Sequence, residues 1–240
     1  TEIRFLDRTS AMQINGHNLN VEVHGPASGQ AVALLHHGLG SIRAWKETTP
    51  ALAASGLRVI VYDRWGYGKS DPRSELGQPT FEDDQADLVS LLDKLQVEHA
   101  ALVGHSDGGT IALYFAAAHP GRVAKLVSVA AHIYVEPKME PGMQMIRRTY
   151  ESDADFQRKF TRQHGEKAGQ VFQSWYGGWL KTENLSWDMR PLLAGISCPA
   201  LVVQGEQDEH ATPQHARDIA AAIPGAEFWL LPGAGHMLPQ

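Results

Sequence analysis

The feature that most restricts the fold is a repeated unit: a short apolar run, a glycine-bearing turn, then an amphipathic stretch. Ala31–Leu35 ends in His36-His37-Gly38-Leu39-Gly40, and Arg58–Tyr62 ends in Asp63-Arg64-Trp65-Gly66. Residues 100–103 end at Gly104, and residues 123–130 and 200–203 continue the series. Apolar runs without alternation suit strands buried on both faces, and the stretches between them suit crossover helices. The expected class is therefore α/β, with a mostly parallel central sheet and helices on both faces. Residues 18–24 alternate and read as an early antiparallel strand. Thr80-Phe81-Glu82-Asp83 resembles a capping box and leads into Leu88, Leu91, Leu92 and Leu95 at helical spacing. A second helix carries Ile111, Tyr114 and Phe115 and stops at His119-Pro120-Gly121.

The series breaks across residues 133–193, which hold no convincing strand but many large aromatics: Phe156, Phe160, Phe172, Trp175, Tyr176, Trp179 and Trp187. Ordinary helices with their own small core would read this way. An excursion of this length between two sheet strands must lie outside the sheet, which favours a helical cap over the strand ends. The expected division is a core of 1–132 and 194–240 with a cap insertion of 133–193.

With 240 residues, 43% of them hydrophobic, the chain can bury a large core, and its net charge of -6 argues against a nucleic-acid partner. Cys198 is the one cysteine, so no intrachain disulfide can form and a reducing, cytoplasmic setting is expected. No His or basic residue flanks it, so an inert buried thiol is expected. Thr1-Glu2-Ile3-Arg4 has no apolar h-region, so no signal peptide is expected, and no run is long enough for a membrane span.

The chemistry centres on Gly104-His105-Ser106-Asp107-Gly108, which matches G-x-S-x-G between an apolar strand and a helix. A serine on so tight a turn is held at a helix N-terminus, where free N–H groups favour a developing oxyanion. It needs a base within hydrogen-bond reach, and behind the base an acid, in the chain order Ser, acid, His. Among 12 histidines, His236 lies in the glycine loop after Glu227–Leu231, at the same sheet end as Ser106. His210 and His215 are rivals, expected to hold surface roles. Glu206, Asp208 and Glu209 compete for the acid position after residues 200–203, and Asp208 sits best beyond the strand end. Ala130-Ala131-His132, after the preceding strand, offers no carboxylate. Backbone N–H groups of Leu39 and Asp107 are the expected oxyanion donors, with His37 packing their loop.

Taken together, these loops resemble the ordered motif set of the α/β-hydrolase superfamily along nearly the whole chain. Asp107 after the nucleophile, Gly66-Tyr67-Gly68 and Cys198-Pro199-Ala200-Leu201 are more narrowly similar to biphenyl-hydrolase-like, valacyclovir-hydrolase-type serine esterases. The resemblance implies hydrolysis of small carboxylic esters, with α-amino-acyl esters as the sharper version, through an acyl-enzyme on Ser106. It also implies that the Asp107 carboxylate meets a substrate ammonium; the simpler alternative is that it complements the helix dipole. His132, Trp175 and Trp179 are the remaining expected substrate contacts. Members of the family usually continue with a final helix on the sheet. The sequence stops at Gln240, so either the chain is a shortened version or that helix lies outside these residues; only a helix that is truly absent would leave one sheet face exposed.

Other signals fail. Gly68-Lys69-Ser70 lacks the first glycine of a P-loop, because that position is Asp63. Gly66-Tyr67-Gly68 lacks the third glycine of a dinucleotide fingerprint, because that position is Asp71. The histidine spacings match no metal motif, so neither metal nor cofactor is expected. The expected partner is a small-molecule ester, with no nucleic acid or membrane; the oligomeric state is left open. Carbon–carbon bond hydrolysis of ring-cleavage diketones, or cofactor-free perhydrolase or haloperoxidase chemistry, would use the same triad. A non-catalytic ligand receptor would keep only the fold.

Overall fold

A computed structural model describes residues 5–238. Thr1-Glu2-Ile3-Arg4 and the terminus at Gln240, both read above, lie outside the described residues. Eight strands form one sheet: β1 (Phe5–Ile14), β2 (His17–Pro26), β3 (Ala31–Leu35), β4 (Arg58–Tyr62), β5 (Ala100–His105), β6 (Val123–Val129), β7 (Ala200–Gly205) and β8 (Glu227–Leu231). Their order is β1-β2-β4-β3-β5-β6-β7-β8. The first two are antiparallel and the rest run parallel from β4 to β8.

The expected strands are all present, and β2 pairs antiparallel as its alternation implies. β1 was not anticipated. Its hairpin turn is Asn15-Gly16, both at positive φ (47° and 92°), the local signal that marks such a pairing.

Seven helices connect the described strands: α1 (Thr48–Ala54), α2 (Glu82–Lys94), α3 (Asp107–Ala118), α4 (Met139–Ser152), α5 (Ala154–His164), α6 (Ala168–Trp179) and α7 (Gln214–Ala222). The capping box before α2 does not form. Phe81 takes the cap position at φ 51° with its ring buried, and no side chain caps the helix. Burial of that ring outweighs the Thr80 cap.

The side-chain period of a strand divides β3 between two cores. Ala31, Ala33 and Leu35 join α2, α3 and α7 on one face, while Val32 and Leu34 join Trp45 and the Leu52 and Ala53 side chains of α1 on the other. Toward β8 the second face is thinly covered. Val103, Val127, Leu201 and Val203 are half-buried and Trp229 is 53% exposed. Among the described residues no helix is long and apolar enough to cross a membrane.

Helices α4–α6 leave the sheet after β6 and return before β7. Their base is pinned by an antiparallel bridge between Tyr134 and Asp188, with Met189 N–H donating to Ile133 O at 2.8 Å. The aromatics do not form a separate core: Phe160, Phe172, Trp175 and Trp179 are continuous with the α2–α3 core. Tyr150 stacks on Phe172 at 3.8 Å within this layer.

The sheet order turns outward in both directions from β3, with β4 on one side and β5 on the other. Ligands of open α/β sheets bind beyond the strand ends at such a switch point. The loops after β3 and β5 carry Leu39 and Ser106, so both lie at that crevice.

Candidate active site

β5 ends at His105 and α3 begins at Asp107, so the chain reverses through Ser106 alone. Ser106 has φ 54° and ψ −119°, a setting a non-glycine residue holds only where its surroundings enforce it. They do so here. Ser106 N–H donates to Val129 O at 2.8 Å, and Thr110 N–H donates to Ser106 O at 3.0 Å. The neighbouring glycines are steric requirements. A Cβ on Gly104 would strike the Gly108 carbonyl, and one on Gly108 would strike the Leu35 carbonyl of β3.

His236 sits in the loop after β8 and meets Asp208 from the loop after β7, with Nδ1 to Oδ2 at 2.8 Å. An ionised carboxylate only accepts, so Nδ1 carries the proton and Nε2 presents its lone pair. His105 fixes the loop from below, its Nε2–H donating to the His236 carbonyl at 2.9 Å. Asp208 is fully buried, yet every oxygen is satisfied. Oδ1 accepts the N–H groups of His210 and Ala211 at 2.8 and 3.0 Å, and Oδ2 also accepts Gln204 Nε2 at 2.7 Å. Burial alone would push this carboxyl upward. The His236 bond and the backbone donors outweigh it and hold Asp208 well below the usual carboxylate range.

The rival carboxylates have separate tasks. Glu209 accepts the His236 N–H at 3.0 Å, and Glu206 accepts the Gly233 N–H at 3.1 Å. Both brace the loop that delivers the imidazole. The rival histidines differ from expectation. His215 is fully buried rather than at the surface, stacked on Tyr134 at 4.0 Å and paired with Glu136 at 3.3 Å. His210 is half-buried and stands edge-on to His236 at 4.8 Å between ring centres.

His37, His105, His132 and His210 thus crowd the catalytic end of the sheet. Burial foremost lowers the pKa of each, to about 3 for His105 and about 4 for His210. Among the described residues no group of three or more His, Cys, Asp or Glu side chains is arranged to hold a metal ion.

Ser106 and His236 open onto one cavity of about 450 Å³, together with Leu39, Asp107, His132, Trp175 and Trp179. Its outer wall is apolar: Met139, Met143, Ile146, Phe156 and Phe160 from α4 and α5. The expected catalytic, oxyanion and substrate-contact residues Ser106, His236, Leu39, Asp107, His132, Trp175 and Trp179 line this cavity, with Asp208 directly behind His236. Neither the Leu39 N–H nor the Asp107 N–H reaches a protein acceptor among the described residues, which leaves both available at the cavity.

Asp107 is more enclosed than expected, at 2% exposure. Its oxygens accept the indole N–H groups of Trp175 and Trp179 at 3.1 and 3.2 Å, and the Arg64 guanidinium lies 3.7 Å away. Arg64 also pairs with Asp84, which pairs with Arg73, so two cations and two anions balance inside the protein. Burial pushes the Asp107 carboxyl up to about 6 despite these partners. Trp175 and Trp179 thus hold Asp107 as well as lining the cavity.

Gln163 lines the cavity and His164 lies buried beside the Leu39 carbonyl; neither of these, nor the buried charge of Arg64, was expected from the sequence. Arg64 lies in Asp63-Arg64-Trp65-Gly66, directly after the β4 strand. Its intrusion after an apolar strand was the available signal.

Residues 31–180 match the alpha/beta hydrolase fold family. The chain belongs to that family. This hydrolase is 30% identical over 236 residues to the human serine hydrolase BPHL, covering 96% of this chain and 81% of that protein. It is 25% identical over 253 residues to the 2-hydroxy-6-oxo-6-phenylhexa-2,4-dienoate hydrolase of Burkholderia cepacia, covering 91% and 85% respectively. Among solved structures it is similar to the enol-lactonase of Burkholderia xenovorans LB400, with a TM-score of 0.75, 24% identity, and coverage of 95% and 93%.

Proposed function

We propose that the chain hydrolyses small, neutral carboxylic esters through an acyl-enzyme on Ser106. His236 Nε2 takes the Ser106 proton as Oγ attacks the acyl carbonyl, and Asp208 stabilises the resulting imidazolium. The Leu39 and Asp107 N–H groups hold the oxyanion, a term worth about 2.7–4 kcal/mol per donor. His236 then gives its proton to the leaving oxygen. Water, activated by the same imidazole, releases the acid. Residues 133–193 act as the cap that walls the site.

The observation that carries this reading is the charge balance of the cavity. Its inner carboxylate, Asp107, is already matched by Arg64 and two indoles. Its lining cation, Lys159, has a 67% exposed side chain paired with Asp155. Among the described residues that line it, this apolar chamber has no inward Lys or Arg for an anionic substrate and no carboxylate without a partner for an ammonium. The amino-acyl preference implied by resemblance is therefore not part of this proposal.

A second reading is carbon–carbon bond hydrolysis of a ring-cleavage product. It is supported by the Burkholderia cepacia relative, whose name specifies a dienoate substrate, and on likeness alone it leads. Comparing kcat/KM for p-nitrophenyl butyrate, the valine p-nitrophenyl ester and a 2-hydroxy-6-oxodienoate separates these readings. The butyrate is expected to lead by at least tenfold, about 1.4 kcal/mol. A leading dienoate replaces ester cleavage with carbon–carbon cleavage, and a leading valine ester restores the ammonium contact at Asp107.

A further inference from the structure

We propose that Gln163 and His164, at the C-terminal end of α5, are positioning residues that set the oxyanion hole, so that the cap helices must be docked for Ser106 to react. The inference rests on the acyl-transfer reading above. It starts from the Leu39 carbonyl, one peptide beyond the N–H that would hold the oxyanion. This carbonyl accepts from Gln163 Nε2 at 2.9 Å and lies 3.2 Å from His164 Nε2. The other imidazole nitrogen fixes the direction of that second bond. Gly68 N–H donates to His164 Nδ1 at 2.9 Å, so Nδ1 is the lone-pair nitrogen and the proton must be on Nε2. One neutral tautomer satisfies both ends, and the Leu39 carbonyl takes two cap donors.

The ring is 2% exposed, against Phe160 at 4.4 Å and near Tyr67 at 6.1 Å, and burial lowers its pKa to about 4. The imidazole is therefore locked in place rather than exchanging with water. It joins α5 to two strand-end loops, the Leu39 loop after β3 and the Gly68 loop after β4.

The second donor residue is tied to the cap as well. Asp107 supplies the other N–H, and its carboxylate is held by Trp175 and Trp179 of α6. A Cβ on Gly38 would lie 2.6 Å from Asp107 Oδ2 and would overlap the Trp175 indole, so the two halves of the hole and the cap meet at one point. Lifting the cap would break the Leu39, Gly68 and Asp107 bonds together. The cap therefore assembles the hole as well as covering it.

The test uses the full chain, with p-nitrophenyl butyrate as substrate and an alkyl trifluoromethyl ketone as probe. The ketone adds to Ser106 Oγ, and its carbonyl oxygen becomes the oxyanion of a tetrahedral adduct. The variants are Gln163→Ala, His164→Ala and His164→Gln, the last keeping an N–H near the Nε2 position. Rates are taken per active site titrated with a fluorophosphonate, so that misfolded protein does not count. Gln163→Ala removes a half-buried side chain and keeps the test open if His164→Ala fails to fold. Each alanine variant is expected to lower kcat by roughly 10- to 100-fold. KM should stay within about twofold, ketone affinity should fall in parallel with kcat, and His164→Gln should recover part of both. A purely structural role would lower Tm without moving kcat per titrated site or ketone affinity. That result overturns the inference and leaves ester hydrolysis standing. If the unsubstituted chain neither cleaves the ester nor binds the ketone, the acyl-transfer reading and this inference both fall.

Discussion

The strand-end loops and the cap helices meet around the same cavity, but they are built on different principles. In the loops, position follows from backbone: Ser106 is fixed by its φ, by the Val129 carbonyl and by two glycines that admit no Cβ. In the cap, position follows from long side chains reaching down: Gln163 and His164 to Leu39, and Trp175 and Trp179 to Asp107. A backbone device tolerates almost no change, because every alternative is a steric clash. A side-chain device can be weakened by degrees. Substitutions in the loops should therefore abolish function or folding, while substitutions in the cap should tune it.

The largest expected effect lies in the loops. Ser106→Ala should lower kcat by on the order of 10⁶-fold with the fold intact, read as ester turnover beside an unchanged melting curve. Residual turnover above one hundredth of the parent rate would remove Ser106 as the nucleophile. Asp208→Asn should cost about 10⁴-fold, because the Nδ1 proton loses its charged acceptor and the wrong tautomer becomes accessible. A loss under tenfold would return the acid role to Glu206 or Glu209.

At the contact between the regions, the expected effect is on stability and has a defined sign. Asp107 holds its proton more tightly when folded, up to about 6, than an exposed aspartate at 3.8. Between those values the folded state binds more protons, so stability should fall as pH rises from about 4 to about 6, by at most about 3 kcal/mol. Asp208 acts oppositely. Its depressed pKa contributes stability that is lost as pH falls below the unfolded value. Urea melts of Asp107→Asn should lack the fall between pH 4 and pH 6, and an unchanged slope would break the assignment. The smallest effect is a control inside the cap. Lys181 pairs with Glu75 at the surface and does not line the cavity, so Lys181→Ala should leave kcat and Tm unchanged within error. If it matches Gln163→Ala, cap contacts act by general stiffness rather than through Leu39.

The contrast also explains what could be read from sequence. The expected strands and the elbow were legible because a buried parallel strand leaves a continuous apolar run, and a steric glycine is visible as a letter. The order Ser106, Asp208, His236 followed from topology. Tasks set by three-dimensional reach were not legible. Gln163 and His164 look like a polar helix end, and nothing local says that Gly68 donates to one ring nitrogen. The Thr80 cap failed for a related reason: a rule about hydrogen bonding at the helix start yielded to burial of the Phe81 ring in a core that local sequence does not display. His215 was misplaced in the same way, since Tyr134 and Glu136 come from a distant stretch of chain.

The paired indoles on Asp107 have one more consequence. Indole emission responds to charge at the nitrogen end of the ring, and here two of the chain's six tryptophans share one ionisable neighbour. Their fluorescence becomes a built-in gauge of that contact. It should shift in colour when the carboxylate gains a proton and again when the rings move off it. Stopped-flow mixing can then time the seating of the helices against the appearance of product, without any attached dye.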